Sequence, residues 1–539
     1  MKTDEEMGPD RGVVFETDDE DNLAHQHGGS DCSPSSSSPS SVSSYGDHIG
    51  GDPSSYQTTW PQSYRPSIDV YSSVPSPRVG FLAGSSLVRV GSSFLRASMV
   101  STHEDELSLT RPFLPYDSVT GHDGAEAILP PDVPMKSSFA FASYCELPPP
   151  HQCSTAQAVV NGINVLCGVG LLSTPYAVKE GGWLGMLLLF FLASISFYTG
   201  ILLKRCLDSF PGLKTYPDIG HAAFGLSGRL FISIVLYLEL YGCCVEYIIL
   251  VSDSLTFIFP DASMSFLGLD LSPHQVFALT TAFAVLPTVW LKNLSVLSYL
   301  SAAGVVATIL VIICLLWGGV VDQIGFHPGG RALNLMDLPV AIGLYGFGYS
   351  GHSVFPNIYS SMKLPSQFPT VLIICFVLCT IMYSAVGVAG YLMFGDSLKS
   401  QFTLNMPRQY LSSKVAVWTT VVNPLSKYAL TMTPVALSLE ELLPSTSQSN
   451  TVMILLRTFL VLSTLVVALT LPFFGYVMAL LGSVFTMLVA LILPCSCYLS
   501  IKRRSVDFIQ VSVCVLIIAI GVVCSCIGSI SSIKQMMNH

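Results

Sequence analysis

From about Cys153 onward, apolar runs alternate with short polar stretches. Each run holds about 20 residues or more, enough for a helix to cross a hydrocarbon core about 30 Å thick. About eleven such spans are expected, centred near Gly168, Phe190, Tyr241, Ala282, Val306, Tyr345, Leu378, Tyr428, Val461, Thr486 and Ile517. The third and eighth are the longest, with length to spare for tilting. Before about Pro150 the pattern changes: the chain is rich in Ser, Pro, Gly and Asp, as in DCSPSSSSPSSVSS from Asp31 to Ser44, and has no sustained apolar period. Two regions are therefore expected, a disordered acidic tail over residues 1–150 and a transmembrane domain over 151–539.

Two of the spans are interrupted in the same way. NVLCGVGLLSTPY, from Asn164 to Tyr176, carries Gly168-x-Gly170 and then Pro175; GLYGFGYSGHSVFP, from Gly343 to Pro356, carries Gly346-x-Gly348 and then Pro356. Glycine loosens a helix and proline removes a donor. An unpaired amide or carbonyl is costly in hydrocarbon, so broken backbone is tolerated at membrane depth only where protein buries it or a cavity receives it. The matched breaks lie 178 residues apart and each opens a block of about five spans, the signature of an inverted repeat around a mid-membrane site. The competing account is that the glycines only let helices pack closely.

Composition and charge narrow this further. Of 539 residues, 51% are hydrophobic and 11% charged, and the mean hydropathy is +0.58, far from the roughly 25% charge of a soluble chain. The formal charge of -10 comes mostly from the region before about Pro150, so no nucleic-acid partner is indicated. The acidic N-terminus lacks the basic flank and short apolar run of a cleaved signal, which leaves insertion to the first span. Most of the fifteen cysteines fall inside apolar runs without ligand spacing and read as packing residues, not as a metal site or disulfide framework. Lys204, Arg205, Lys214 and Arg229 after span two, Lys292 after four, Lys363 after six and Lys502, Arg503 and Arg504 after ten place those loops in the cytoplasm. The opposite loops still hold Lys179, Arg331, Lys399, Arg408 and Lys414. The N-terminus is then cytoplasmic, the C-terminus lies on the far side, and the sequon at Asn293 faces the cytosol.

With Asn164, Gly168, Gly170, Leu171, Leu172, Ser173, Pro175, Tyr176 and the GGW at Gly181 to Trp183, the first span resembles the amino acid/auxin permease family. The five-plus-five layout, with spans one and six discontinuous, resembles the leucine-transporter fold, with one extra C-terminal helix. The fold class expected is thus an all-α membrane protein of about eleven helices. Within the family, the long acidic Ser-rich tail and the span count are similar to the vacuolar amino acid transporters of plants and fungi, relatives of the vesicular inhibitory amino acid transporters. The resemblance implies amino-acid substrates, a proton gradient as driving force with no cofactor, and the vacuolar membrane.

A bound zwitterion needs donors for its carboxylate and acceptors for its ammonium. The half-helix beginning near Gly170 aims amides and a positive dipole end at the cavity, which nominates the amides of Gly170, Leu171 and Leu172 for the carboxylate. Unwound carbonyls around Tyr345, Gly346, Phe347 and Gly348, with the end of the first half-helix at Asn164, Cys167 and Gly168, are the expected acceptors. Tyr247, Tyr345, Phe347 and Tyr349 are candidates to line the rest, and no charge cluster awaits a charged side chain, so neutral amino acids are favoured.

Glu239, Glu246 and Asp253 recur every seven residues in span three, a spacing that drifts only about 20° per heptad and keeps them on one face. Intramembrane carboxylates are expensive, which makes the stripe a candidate proton path. The alternative for each of the three is a structural ion pair, with Lys427 of span eight as the leading partner, a reading that leads for Glu239 and Asp253 near the span's ends. By analogy with sodium-coupled relatives of this architecture, Lys427 could instead stand where sodium binds between spans one and eight. His352, at the lower edge of the second break, is a further titratable candidate, against the plainer role of a hydrogen-bonding residue. No P-loop, nucleophile elbow, HExxH or CxxC pair is present, so enzymes and primary pumps are set aside. Secondary transport leads; an amino-acid sensor signalling through the tail and a channel are the alternatives.

Overall fold

The computed structural model describes residues 153–538 apart from short gaps at 267–268, 291–293, 444–448 and 504. The tail, Lys292, Asn293 and Arg504 therefore lie outside the described residues.

The chain enters at α1 (Thr155–Leu166), where the Ser154 side chain accepts from the Gln157 amide. That is a side-chain N-cap for donors a first turn cannot satisfy itself. After Cys167, Gly168 and Val169 the helix resumes as α2 (Gly170–Gly181), bent from α1 by 52°. Next come α3 (Met186–Leu207) and the long α4 (Tyr216–Ile258), which opens with a reciprocal Thr215/Asp218 capping box. Its 43 residues are two helical segments: Gly225 takes φ 68°, ψ -155°. Arg229 reaches back across that kink to Asp218 at 2.9 Å.

A two-stranded antiparallel hairpin, β1 (Met264–Phe266) and β2 (Leu269–Leu271), pairs Met264 with Leu271. It is the one departure from the all-α expectation among the described residues, and it lies in the connection between α4 and the next helix. There follow α5 (Pro273–Trp290), α6 (Leu294–Val320), α7 (Leu338–Gly348) and the short α8 (Phe355–Ser361). The rest comprises α9 (Phe368–Phe394), α10 (Leu411–Leu442), α11 (Asn450–Thr470), α12 (Phe474–Ile501) and α13 (Phe508–Asn538).

Among the described residues six helices are individually long and apolar enough to cross a membrane, or seven with the bent α1–α2 pair taken as one span; α7 and Gly304–Val320 are shorter apolar helices. Ten of the eleven expected span centres fall inside helix, and Gly168 falls in the first break. Broken helices occupy the middle of the packing: α2 lies against α7 and α9, α1 against α9 and α6, and α10 against α6 and α4. The α7–α12 contact is backbone to backbone, because a Cβ on Gly343 would fall 2.2 Å from the Ala479 carbonyl oxygen. Within α12 the helix widens to π-helical turns from Gly482 to Ile492, a form that costs regular hydrogen bonding and is often kept where a site needs it.

Candidate functional site

The two breaks meet. A Cβ on Gly170 would lie 3.2 Å from the Gly348 Cα, so the start of α2 rests on the end of α7 with no room for a side chain between them. Around this contact lies a cavity of about 50 Å³, lined from the first break by Asn164, Gly168, Val169 and Gly170 and from the second by Phe347, Ser350 and Ser353. Glu239 and Tyr247 of α4 and Lys427 of α10 complete its polar wall. A smaller hollow of about 20 Å³ flanks the same break, between Gly168, Leu171 and Leu172 and residues of α6 and α10. Pockets that enclose small molecules run to roughly 300–1,000 Å³, so in this conformation neither hollow is large enough to hold a substrate.

The backbone of the first break is partly spoken for. Gly168 N donates to the Leu166 carbonyl at 2.9 Å, Leu171 N to Gly168 at 3.4 Å and Leu172 N to Val169 at 3.0 Å. The expected carboxylate donors therefore change: Leu171 and Leu172 are engaged by the tight first turn of α2, whereas the amides of Val169 and Gly170, on the cavity wall, make no such backbone bond among the described residues. Two of the expected acceptors are also engaged. Thr308 of α6 donates to the Cys167 carbonyl at 3.2 Å, and the Lys427 ammonium points to the Asn164 carbonyl at 3.5 Å.

In the second span the break lies later than the glycine pair suggested. Helix α7 continues through Tyr345, Gly346, Phe347 and Gly348, and the unwound stretch is 349–354. The Gly346 and Phe347 carbonyls accept from Tyr349 N and Ser350 N at 2.9 and 3.1 Å. Gly346 has a packing reason instead, since a Cβ there would meet Met487 Cε at 2.5 Å. Tyr345 is buried within α7 and Tyr349 bonds Thr380 through their hydroxyls at 2.8 Å; neither lines the cavity.

The acidic stripe divides into three environments. Glu239 lines the central cavity and faces Thr486 in the π-helical turns. Glu246 is fully buried one heptad on, and neither of its oxygens has a hydrogen-bond partner among the described residues. No ion pair joins it to Lys427 there, so the structural pairing weighed for these two residues does not form. Asp253 opens on a separate vestibule of about 650 Å³, where Gln401 donates to it at 3.0 Å and His274 approaches at 3.4 Å. His352 is buried in the second break, its Nε2 3.0 Å from both the Thr199 hydroxyl and the Ser196 carbonyl of α3. It ties break two to α3 and does not reach the cavity wall.

Residues that a linear reading passes over turn out to organise the site. Gly304 of α6 leaves the space that the Lys427 side chain fills: a Cβ there would sit 2.8 Å from Lys427 Cε and 3.1 Å from Asn164 Oδ1. Tyr383 of α9 reaches the Leu166 and Gly348 carbonyls from behind the breaks. Only the run of apolar residues around each was visible in sequence.

Broken helices enclosing a polar cavity in a bundle of apolar helices define a helical membrane transporter. The chain belongs to the family described as transmembrane amino acid transporter protein, whose pattern matches residues 151–537. Amino acid transporter AVT1C of Arabidopsis thaliana is 54% identical over 545 aligned positions covering 98% of each chain, and AVT1B of the same plant 51% identical over 532, again 98% of each. The vesicular GABA transporter of Caenorhabditis elegans is 28% identical across 66% of this chain and 74% of its own. Among solved structures, a Na+-coupled sialic acid symporter in a substrate-bound outward-open state is similar at a TM-score of 0.43 and 13% identity, over 71% of this chain and 90% of that one. Family and relatives are transporters, not enzymes.

Proposed function

We propose that the protein is a proton-coupled secondary transporter of amino acids, mainly neutral ones, that works by alternating access across the vacuolar membrane. The observation that carries the reading is the shared cavity: both breaks, the cation of Lys427 and the acid of Glu239 face one hollow. A substrate carboxylate would take the Val169 and Gly170 amides at the positive end of α2, with Lys427 behind them. Its ammonium would turn to Glu239 and to the unwound carbonyls of 349–354. Phe347 and Tyr247 offer apolar and aromatic wall but no further charge, which suits an uncharged side chain. Because the hollow is too small for a substrate as it stands, binding requires the breaks to part, toward one side at a time, and the bent backbone provides the joints.

In this reading the chain makes eleven spans, five plus five related by an inverted repeat and one more at the C-terminus. Its N-terminus lies in the cytoplasm and its C-terminus in the lumen, with protons as the driving species and no cofactor. The test is uptake of a panel of labelled amino acids into vesicles bearing the full chain, with and without an imposed pH gradient. Saturable uptake of neutral amino acids that rises with the gradient is expected; absence of uptake for every amino acid would overturn the assignment. Glycan on Asn293 would overturn the orientation alone.

A further inference from the structure

We infer that Tyr383 is a positioning residue whose single hydroxyl fixes the spacing of the two broken helices and thereby sets substrate affinity. Its Oη lies 2.5 Å from the Leu166 carbonyl oxygen and 2.9 Å from that of Gly348. Leu166 is the last residue of α1 and Gly348 the last of α7. Two helix C-termini thus aim their carbonyls at one point, and one proton serves both. Carbonyls of the last turn have no intrahelical donor, and here they are buried, so this hydroxyl is what neutralises their convergence. Gly168 N adds a second bond to Leu166, at 2.9 Å.

The ring is held as firmly as the hydroxyl. Tyr383 is 1% exposed; the Tyr349 ring meets it edge-on with centroids 5.7 Å apart, and a Cβ on Gly348 would touch its Cε2 at 3.4 Å. Gly170, the first residue of α2, rests on Gly348 in turn. Three half-helix ends therefore depend on one side chain that approaches from α9 and takes no part in the cavity wall. Moving the α1 or α7 terminus by a fraction of an ångström would carry the Val169 and Gly170 amides with it. The consequence falls on binding first.

The inference rests on the transport reading, and the experiment separates the two. The full chain, wild type and Tyr383→Phe, is reconstituted in proteoliposomes, and KM and kcat are measured for whichever neutral amino acid the wild type carries. Phe keeps the ring packing and removes the donor, so KM is expected to rise at least about tenfold, the effect of losing one buried hydrogen bond. Tyr216→Phe, which removes another buried tyrosine's bond to a backbone carbonyl, that of Val489 at 2.7 Å, should leave KM within about twofold. Hydrogen exchange of Tyr383→Phe should quicken at 166–172 and 348–355 while the far ends of α4 and α10 stay as protected as in the wild type. Should Tyr383→Phe fail to reach the membrane, Gly170→Ala pries at the same junction from the other side and is expected to raise KM likewise. An unchanged KM in a folded Tyr383→Phe protein, or equal losses in the two tyrosine variants, overturns the inference. A wild type that carries no amino acid overturns the transport reading instead.

Discussion

The ammonium of Lys427 stands 3.5 Å from the main-chain carbonyl of Asn164, which joins α10 to the last turn of α1 beside the first break. Lys427 is buried, and no carboxylate lies within ion-pair distance of it among the described residues. A buried cation with no carboxylate beside it is an expensive arrangement to maintain unless something else uses it. Gly304 supplies its space. In Gly304→Val the β-carbon and its methyls must displace the lysine, so uptake is expected to fall at least about tenfold, a shift of about 1.4 kcal/mol in binding. Initial-rate uptake normalised to protein in the membrane measures this; an unimpaired rate would dismiss the lysine from the site.

Glu239 and Glu246 should separate on substitution. Glu239 touches the cavity, so Glu239→Gln is expected to raise KM in exchange and in gradient-driven uptake alike. Glu246 is fully buried and its oxygens have no hydrogen-bond partner among the described residues, so Glu246→Gln should lose accumulation driven by a pH gradient yet retain exchange of labelled for unlabelled substrate. Counterflow and gradient-driven uptake in the same vesicles read the two effects. Glu246→Gln vesicles that still accumulate substrate with the pH gradient would remove this carboxyl from the coupling path.

How much of this was written in the sequence depends on the range of the interaction. The first break was legible because Gly168, Gly170 and Pro175 act on their own turn of helix. The second was found but misplaced by several residues: a glycine inside a helix costs only about 1 kcal/mol against alanine, and packing of Gly346 against Met487 keeps α7 wound through the pair. The seven-residue spacing put Glu239, Glu246 and Asp253 on one face correctly, since all three lie in the continuous part of α4. It could not say that one would meet the cavity, one be sealed and one meet a vestibule, because neighbouring helices decide that. Tyr383, Thr308 and Gly304 were out of reach for the same reason, as each acts on backbone or side chains more than a hundred residues away.

The GGW that marks the first span has a structural role distinct from the cavity. Gly182 adopts φ 75°, and a Cβ there would lie 2.8 Å from the Ala332 carbonyl oxygen. Trp183 N donates to Arg331 at 3.1 Å, Leu184 N to Ala332 at 2.8 Å, and the indole to Gly329 at 3.0 Å. The connection before α7 is thereby strapped across the end of α2. Gly182→Ala meets both the left-handed backbone and the strap, with an expected cost of about 1–3 kcal/mol. Gly185→Ala, whose Cβ would meet only Leu338 Cδ1 at 3.5 Å, is the control. Thermal unfolding of the purified proteins should show a lower midpoint for the first and little change for the second; equal midpoints would mean the strap is not held there.

Arg457 and Glu440 form the most enclosed ion pair among the described residues, with side chains 4% and 5% exposed and Nε to Oε1 at 2.6 Å. A second contact joins Nη2 to Oε2 at 3.3 Å, and Nη1 donates to the Val289 carbonyl at 2.7 Å. One guanidinium therefore fastens α11 to the ends of both α10 and α5. The geometry is a fork matched to a carboxylate, which lysine cannot reproduce. Removing one partner leaves the other charge buried, at a cost of about 3–5 kcal/mol, whereas replacing both by apolar residues of similar size is often neutral. Arg457→Met is thus expected to lower the unfolding midpoint sharply, Arg457→Lys to restore only part of it, and Arg457→Met with Glu440→Met to recover most of the loss. A double variant as unstable as the single one would show that the Val289 bond, and not the charge pair, holds the three helix ends together.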